Sequence, residues 1–267
     1  MNSKATAESL TIKLPDGSTK ELGAKSTGLD LAKAISSSLA KKSIAIEVNG
    51  DLLDLSTALN DGDEVKIVTV GDKKSYEVLR HTTSHILAAV VQKKYPNAKV
   101  GVGPATENGF FYDFRIDDYK ITDEDLLEIE KEMKKFASGA YTLQREFIED
   151  VDTRLKEFRA IGENYKAELL EEHRDDNPSE YFFLDNNGGK VWSDFCRGPH
   201  LPSTKFIKSV KLTTVSGAYW RGDEAKDVMQ RVYGTVWWND EELEQHLKRK
   251  EEAEKRRDEL LGNLLRT

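Results

Sequence analysis

The first 70 residues alternate short apolar stretches with turn signals, which is the pattern of a small unit containing both strands and a helix. LTIKL at 10–14 alternates like a strand, and the turn PDGS leads to TKEL at 19–22 as the returning strand of a hairpin. SIAIEV at 43–48 and DEVKIVTV at 63–70 predict two more strands, and NG at 49–50 predicts a turn between them.

A helix is predicted between these pairs of strands. Thr27 is its N-cap, Asp30 stands at the third helical position, and LDLAKAISSSLA at 29–40 carries apolar residues at helical spacing. Strand, strand, helix and then strands is the order of a β-grasp fold. GDKK at 71–74 reads as a polar hinge, so we predict a first domain over residues 1–72.

The second unit begins with a long helix. Ser75 is a candidate N-cap, and the next 20 residues contain neither Gly nor Pro before Pro96 ends the run. His81 and His85 lie one turn apart on one face of this helix. Val78 shares that face, so we expect it to point inward.

The remaining pattern of the second unit, which we predict to span residues 73–238, mixes strands and helices. Strands are predicted at 98–104, 108–114, 143–150, 206–223 and 228–238, a hairpin at 180–195, helices at 123–138 and 152–162, and either type at 165–173. Thr122 and Asp125 form a capping-box pattern before the first of those helices. The whole chain is therefore expected to be an α+β protein of two domains.

Residues 239–267 predict a charged linker helix with Asp240 at its cap. Its polarity agrees with the composition of the chain, which is 38% hydrophobic and 33% charged with a net charge of −8. The longest apolar run, ILAAVV at 86–91, is too short to span a bilayer, and MNSKATAES shows no leader pattern. One cysteine and no predicted membrane segment favour a cytoplasmic location.

The acidic balance argues mildly against strong autonomous RNA binding, because phosphate contacts come from Lys and Arg. It leaves room for an enzyme that touches only the end of an RNA.

The candidate chemistry lies in two spaced pairs. HTTSH places His81 and His85 four residues apart, and DFCRGPH places Cys196, the only cysteine, four residues before His200. These four residues are a plausible zinc set. They are equally compatible with metal-free hydrolysis, in which a neutral imidazole takes a proton from water and Asp194 orients a histidine or an amine. Residue types and spacing leave both alternatives open.

A nucleophilic serine is the third option, since Ser84 lies between the two histidines. It is disfavoured because no nucleophile-elbow pattern surrounds it.

Several long blocks resemble the N-terminal half of bacterial threonyl-tRNA synthetases. They are RHTTSHILAAVVQKKYPNAKVGVGPATENGFFYDF, GENYK, DFCRGPHLPSTKFIKSVKLTTVSGAYWRGD and MQRVYGT. The resemblance runs from about residue 9 to about residue 258 and implies a TGS domain followed by the editing, or second additional, domain. It also implies hydrolysis of Ser-tRNA(Thr), because one methyl group separates serine from threonine and limits discrimination at the synthetic site.

The resemblance also implies roles for individual residues. His81 and Lys166 would activate water and stabilise the oxyanion, and Asp194 would recognise the seryl ammonium or hydroxyl. Tyr112, His85, Cys196 and His200 would bind the substrate and the 3′ end of the tRNA. In this family the pocket works without a bound metal, whereas in the related alanyl enzymes the residues corresponding to His81, His85, Cys196 and His200 can hold zinc.

Two departures from the family matter. TTS between the histidines contains the β-branched Thr83 where the family often has small residues. The sequence also contains no counterpart of the class II catalytic or anticodon-binding domains, so we expect no aminoacylation by this chain alone. It is either a free-standing editing protein or one part of a synthetase. Its expected partners are the serine-charged acceptor end of tRNA(Thr) and a threonyl-tRNA synthetase core. The alternative from another class is a non-catalytic module that binds RNA or a synthetase.

Overall fold

The computed structural model describes residues 9–264, and its first unit is a β-grasp fold. Its elements are β1 (Ser9–Lys13), β2 (Thr19–Gly23), α1 (Gly28–Ile35), α2 (Ser37–Lys42), β3 (Ser43–Val48), β4 (Asp51–Asp54) and β5 (Val65–Thr69). β1 pairs with β2, β3 lies between β4 and β5, and a parallel bridge between Lys13 and Glu64 joins the two sheets. Ile12, Leu31 and Ile46 are fully buried where α1 packs on the strands.

The predicted helix over 29–40 is wrong in one respect, because it is divided at Ser36. The backbone of Ser36 is extended (φ −165°, ψ 152°), and its side chain accepts a hydrogen bond from the N–H of Leu39. Serine hydroxyls compete with helical hydrogen bonds, so the run of three serines ends α1 and caps α2. The predicted capping box of Thr27 and Asp30 is confirmed.

The second unit packs two helices against sheets. Its elements are α3 (Ser75–Lys94), β6 (Lys99–Val100), β7 (Phe110–Arg115), α4 (Asp123–Ser138), β8 (Thr142–Phe147), α5 (Val151–Ala160), α6 (Asn164–Glu172), β9 (Ser179–Leu184), β10 (Lys190–Phe195), β11 (Ser209–Tyr219) and β12 (Val228–Trp237), followed by α7 (Asp240–Leu264). One antiparallel sheet has the order β11-β12-β7-β6 and the other has the order β10-β9-β8. The segment 165–173, which the sequence left open, lies mostly in helix α6.

Helix α3 is buried on most of its circumference. From Val78 to Val91 every residue except His81, which is half-buried, is shielded from solvent. The helix packs against α4 and the four-stranded sheet, and it also contacts β10 and the first unit through β3. A helix covered on all sides can hold polar side chains inside the protein, which is how its histidines reach an interior site.

Two predicted helix caps are wrong. Lys74 already has helical dihedral angles, so Ser75 is the first residue of α3, and its hydroxyl donates to the carbonyl of Asp72 at 2.5 Å. At α7 the cap is Asn239, whose side chain accepts from the N–H of Glu242 at 2.9 Å. The carboxylate of Asp240 instead accepts a hydrogen bond from the hydroxyl of Ser209. Both side chains also have tertiary partners, since Ser75 Oγ accepts a hydrogen bond from the indole N–H of Trp238 at 3.0 Å and Asp240 accepts from Ser209.

No helix among residues 9–264 combines the length and the apolar character that a membrane span requires. The predicted domain limits at residues 72 and 238 stay predictions. The predicted outer limits at residues 1 and 267, and the N-terminal segment considered for a leader, lie outside the described residues.

Candidate active site

The two spaced pairs meet in one cluster. His81 and His85 come from α3, Cys196 and His200 come from the loop after β10, and one ligand atom from each lies within 4.8 Å of the others. The Cys196 sulfur is 3.2 Å from His81 Nε2 and 3.4 Å from His200 Nε2. The loop makes its turn at Gly198, which has φ +72° and stands so close to Tyr181 that a Cβ atom would lie 1.9 Å from the tyrosine oxygen.

Hydrogen bonds fix the protonation of two of these rings. His81 Nδ1 is 3.2 Å from the carbonyl of Pro199, which can only accept, so Nδ1 carries the proton. His200 Nδ1 is 3.2 Å from Thr82 Oγ1. That hydroxyl donates to the carbonyl of Val78, so it must accept from His200. Both Nε2 lone pairs therefore face the Cys196 sulfur, and a neutral thiol has one proton to offer them.

A second set of polar side chains lies beside the cluster. Lys166 Nζ is 2.5 Å from Asp194 Oδ1, and the hydroxyl of Tyr112 donates to Asp194 Oδ2 at 2.5 Å. Lys166 also donates to the Tyr112 hydroxyl at 2.9 Å, and His85 Nδ1 is 3.5 Å from Asp194 Oδ2. All four residues are buried. An ammonium, a carboxylate, a phenol and an imidazole are thus held together away from bulk water.

Burial decides the charge states in this site. Desolvation lowers the pKa of His81 to about 4 and lowers the pKa of His85 and of His200 well below the usual range. Burial also raises the pKa of the Cys196 thiol to about 12. The histidines are therefore neutral near pH 7, and the thiol keeps its proton in the absence of a cation.

Asp194 experiences two opposed effects. Burial raises its pKa, while the Lys166 ammonium and the hydrogen bond from Tyr112 act in the opposite direction. The same burial and the neighbouring carboxylate raise the pKa of Tyr112, so the phenol stays protonated.

A cavity of about 240 Å³ opens beside these groups. Its walls include six of the seven residues that the sequence predicts for the site, namely His81, His85, Tyr112, Lys166, Asp194 and Cys196. His200 does not line this cavity; it is 2% exposed and lies behind Cys196 and His81. The structure thus gives His200 a supporting position, whereas the resemblance implied substrate contact.

Sequence reasoning missed two residues. His173 stands in a charged segment without any motif of a site, yet it lines the cavity, and its Nδ1 is 2.8 Å from Arg197 Nη2. Asp54 of β4 accepts a hydrogen bond from the N–H of His200 at 2.9 Å and one from the Tyr181 hydroxyl at 2.5 Å. Both contacts of Asp54 are with residues far away in the chain, and a single sequence does not reveal such contacts.

Ser84 is not arranged as a nucleophile. Its hydroxyl lies 2.5 Å from the carbonyl of Gly103 and 2.8 Å from the carbonyl of His81, and donates to these acceptors. The serine is fully buried and is absent from the lining of the cavity.

His81, Cys196 and His200 approach the spacing of a zinc site, whereas the ligand atoms of all four residues lie only within 4.8 Å of one another. Tetrahedral ligation by imidazole and thiolate separates neighbouring ligand atoms by about 3.3–3.8 Å, close to the observed 3.2 and 3.4 Å from Cys196 Sγ to the two Nε2 atoms. The Nδ1 protons of His81 and His200 go to a carbonyl and a hydroxyl, which is the usual support of metal-bound histidines. A cation would also satisfy the lone pairs that one thiol proton cannot.

Known proteins share both units of this chain. Residues 10–69 match the TGS domain family, and residues 184–233 match the family described as the threonyl and alanyl tRNA synthetase second additional domain. The chain is 45% identical over 256 residues to a threonine--tRNA ligase of Citrifermentans bemidjiense and 41% identical to that of Francisella tularensis. These alignments cover 96% of this chain and 39% of each relative, so the chain spans about two fifths of their length.

The fold, the cluster and these matches define a protein in which a TGS domain precedes an editing-type domain of the tRNA synthetase kind. Within that class, the chain belongs to the TGS and editing region of threonyl-tRNA synthetases, as the sequence resemblance predicts.

Proposed function

We propose that this chain is an aminoacyl-tRNA deacylase that hydrolyses the ester of Ser-tRNA(Thr). The observation that carries the proposal is the placement of His81, Lys166 and Asp194 on the walls of one small cavity of about 240 Å³. That volume admits an aminoacyl group and part of a ribose, which is the reacting end of a charged tRNA. We propose tRNA(Thr) as the tRNA because the similar proteins are threonine--tRNA ligases.

The hydrolytic step needs a base, an electrophilic partner and a site for the amino group. His81 is neutral near pH 7, and its Nε2 lone pair is free when the one thiol proton of Cys196 is directed to His200, so Nε2 can take a proton from the attacking water. The imidazolium then returns that proton to the ribose oxygen as the ester bond breaks and serine leaves. Lys166 stabilises the negative charge that develops on the carbonyl oxygen. Asp194, already paired with Lys166 at 2.5 Å, receives the seryl ammonium or hydroxyl, while Tyr112 orients the carboxylate.

Threonine is larger than serine by one methyl group, and the proposed site has to exclude it. An additional methyl group either contacts the wall or displaces the attacking water, so Thr-tRNA(Thr) is spared. The chain works either as a free-standing protein or as the editing part of a synthetase, in the cytoplasm, with the acceptor end of tRNA(Thr) as its partner and a synthetase core as a second partner.

The direct experiment is to incubate the purified chain with Ser-tRNA(Thr) and Thr-tRNA(Thr) and to follow loss of the esterified amino acid. We expect rapid release of serine and slow release of threonine. Equal inertness toward both esters would reject the proposal. If an inert protein still binds the acceptor end, the chain is a non-catalytic RNA-binding module.

A zinc-dependent deacylase is the second candidate, and the convergence of two Nε2 lone pairs on Cys196 favours it. His81, His85, Cys196 and His200 would hold the ion. Bound zinc polarises a carbonyl or activates water. Elemental analysis of protein purified without chelator separates the two forms. Stoichiometric zinc that is lost together with activity supports the zinc form, and full activity in metal-depleted protein supports the metal-free form.

A further inference from the structure

Arg80, the residue before His81 on α3, is a buried cation with few partners. Its side chain is 6% exposed and lies between the rings of Tyr76 and Trp237, with its guanidinium carbon 5.2 and 5.0 Å from their centroids. Within residues 9–264 it donates one hydrogen bond, from Nη1 to the carbonyl of Glu107, and its buried Nε has no partner there. Among the described residues, no carboxylate oxygen lies within 4.0 Å of the guanidinium.

A buried charge without a counter-ion is costly, and proteins usually pair such a group or let it coordinate a ligand. Burial lowers the pKa of Arg80, yet a guanidinium stays protonated in the physiological range. Two aromatic rings offset part of the cost through cation–π attraction. The remaining donors still favour an anion, and a planar guanidinium matches phosphate oxygens especially well.

The guanidinium lines a groove that adjoins the candidate active site. The groove has a volume of about 760 Å³ and shares His81 and Pro104 with the walls of the smaller cavity. Exposed Lys73 adds a second positive charge to its lining. Glu77 and Glu107 also line it, so the groove is not uniformly basic and an anion has to be placed near Arg80 and Lys73.

We propose that Arg80, assisted by Lys73, binds the phosphodiester that joins the terminal nucleoside of the RNA to the nucleotide before it. This inference rests on the proposed function, which places the esterified ribose in the cavity beside His81. The first anionic group of the RNA beyond that ribose must then leave the cavity through an adjoining opening. The groove at Arg80 is such an opening, since the two spaces share His81 and Pro104.

The experiment compares two substrates that carry the same ester. Ser-tRNA(Thr) has the phosphodiester, whereas 3′-O-seryl-adenosine lacks it. We expect Arg80→Gln to lower kcat/KM for the tRNA at least tenfold more than for the nucleoside. The exposed Lys73→Gln should act in the same direction with a smaller effect, and we expect it to leave folding unchanged because the Lys73 side chain is solvent-accessible.

The matched control is Lys93→Gln, an exposed lysine near the other end of the same helix, which should leave both activities unchanged. Removing one phosphate contact should also reduce the slope of log affinity against log salt by about one. Equal losses on the tRNA and the nucleoside, in a variant whose thermal unfolding is unchanged, would show a purely structural role for Arg80 and overturn the inference.

A parallel binding measurement separates this inference from the proposed function. The affinity of the full chain for an uncharged acceptor-stem hairpin is measured for the natural protein, Arg80→Gln and Lys93→Gln. If the natural protein hydrolyses neither ester, the proposed function fails. A tenfold loss of hairpin affinity in Arg80→Gln alone would still support the phosphate site, and unchanged affinity would reject it.

Discussion

Asp54 accepts a hydrogen bond from the backbone N–H of His200 at 2.9 Å, although the two residues are 146 positions apart in the chain. The other carboxylate oxygen of Asp54 accepts from the hydroxyl of Tyr181 at 2.5 Å. Asp54 is 7% exposed and lies on β4 of the TGS domain, whereas His200 stacks on His81 at 4.3 Å between ring centroids. A side chain of the first domain therefore supports the cluster of the second.

Replacing Asp54 with alanine should weaken both stability and activity. The change leaves a buried N–H and a buried hydroxyl without partners, at about 1–3 kcal/mol for each unsatisfied group. We expect a lower free energy of unfolding in urea and at least a tenfold fall in kcat for Ser-tRNA(Thr), because the loop carrying Cys196 and His200 loses an anchor.

Asp51→Ala provides the matched control, since Asp51 is exposed at the other end of the same strand. Tyr181→Phe removes only one of the two hydrogen bonds and should give an intermediate result. If Asp54→Ala has the same free energy of unfolding and the same kcat as the natural protein, the contact between the domains does not contribute to function.

His81→Ala and Lys166→Ala should each slow deacylation without unfolding the protein. Loss of a positioned general base or of an oxyanion partner costs about 10²–10⁴ in rate. Single-turnover hydrolysis of Ser-tRNA(Thr) measures the effect, and circular dichroism checks the fold. Lys93→Ala is the control, since Lys93 is exposed near the C-terminal end of α3 and does not line the cavity. A rate within threefold of the natural protein in either variant would remove that residue from the proposed mechanism.

Local patterns predicted the elements of this fold well where the decisive contacts are local. The capping boxes at Thr27 and Thr122 involve residues three positions apart, and both are confirmed. The same reasoning predicts caps at Ser75 and Asp240, but the distant residues Trp238 and Ser209 hydrogen-bond to their side chains. The break at Ser36 reflects competition within a run of serines that periodicity does not resolve.

The candidate site shows the same division. Paired spacing and family resemblance indicated seven residues, and the structure brings all seven close together. Which of them reach the cavity depends on packing, so the supporting position of His200 was not predictable. The contributions of Asp54 and His173 depend on contacts between distant segments, and their sequence surroundings give no signal of a site.

Cys196 should react slowly with alkylating reagents in the folded protein. Burial raises its pKa to about 12, whereas an ordinary thiol titrates near 8.5, so the thiolate fraction at pH 8 is reduced by about a thousandfold. Iodoacetamide labelling followed by mass spectrometry should show a slow reaction in chelator that becomes fast in denaturant. Rapid labelling of the native, metal-depleted protein would show that the pKa of this thiol is not raised.

The stability of the metal-depleted protein should fall as the pH decreases from about 7. The folded protein keeps three histidines neutral, because burial lowers the pKa of His81 to about 4 and lowers the pKa of His85 and of His200 well below 6.5. The unfolded chain binds protons at these positions near pH 6.5, so it is favoured in acid. Asp194 partly offsets the loss, since its raised pKa lets the folded protein bind a proton sooner.

Urea unfolding in the presence of chelator, measured between pH 7.5 and 5.5, tests this expectation. The free energy of unfolding should decrease by roughly 2–4 kcal/mol over that range, given about 1.4 kcal/mol per pH unit for each proton taken up on unfolding. His85→Gln removes one of the three groups, so the number of protons taken up on unfolding should fall by about one. The free energy of unfolding should then decrease less steeply with falling pH, whatever the effect of the change on stability at pH 7.5. A free energy of unfolding that stays level from pH 7.5 to 5.5 would mean that the cluster accepts protons in the folded state, and that His81 is not a neutral base at physiological pH.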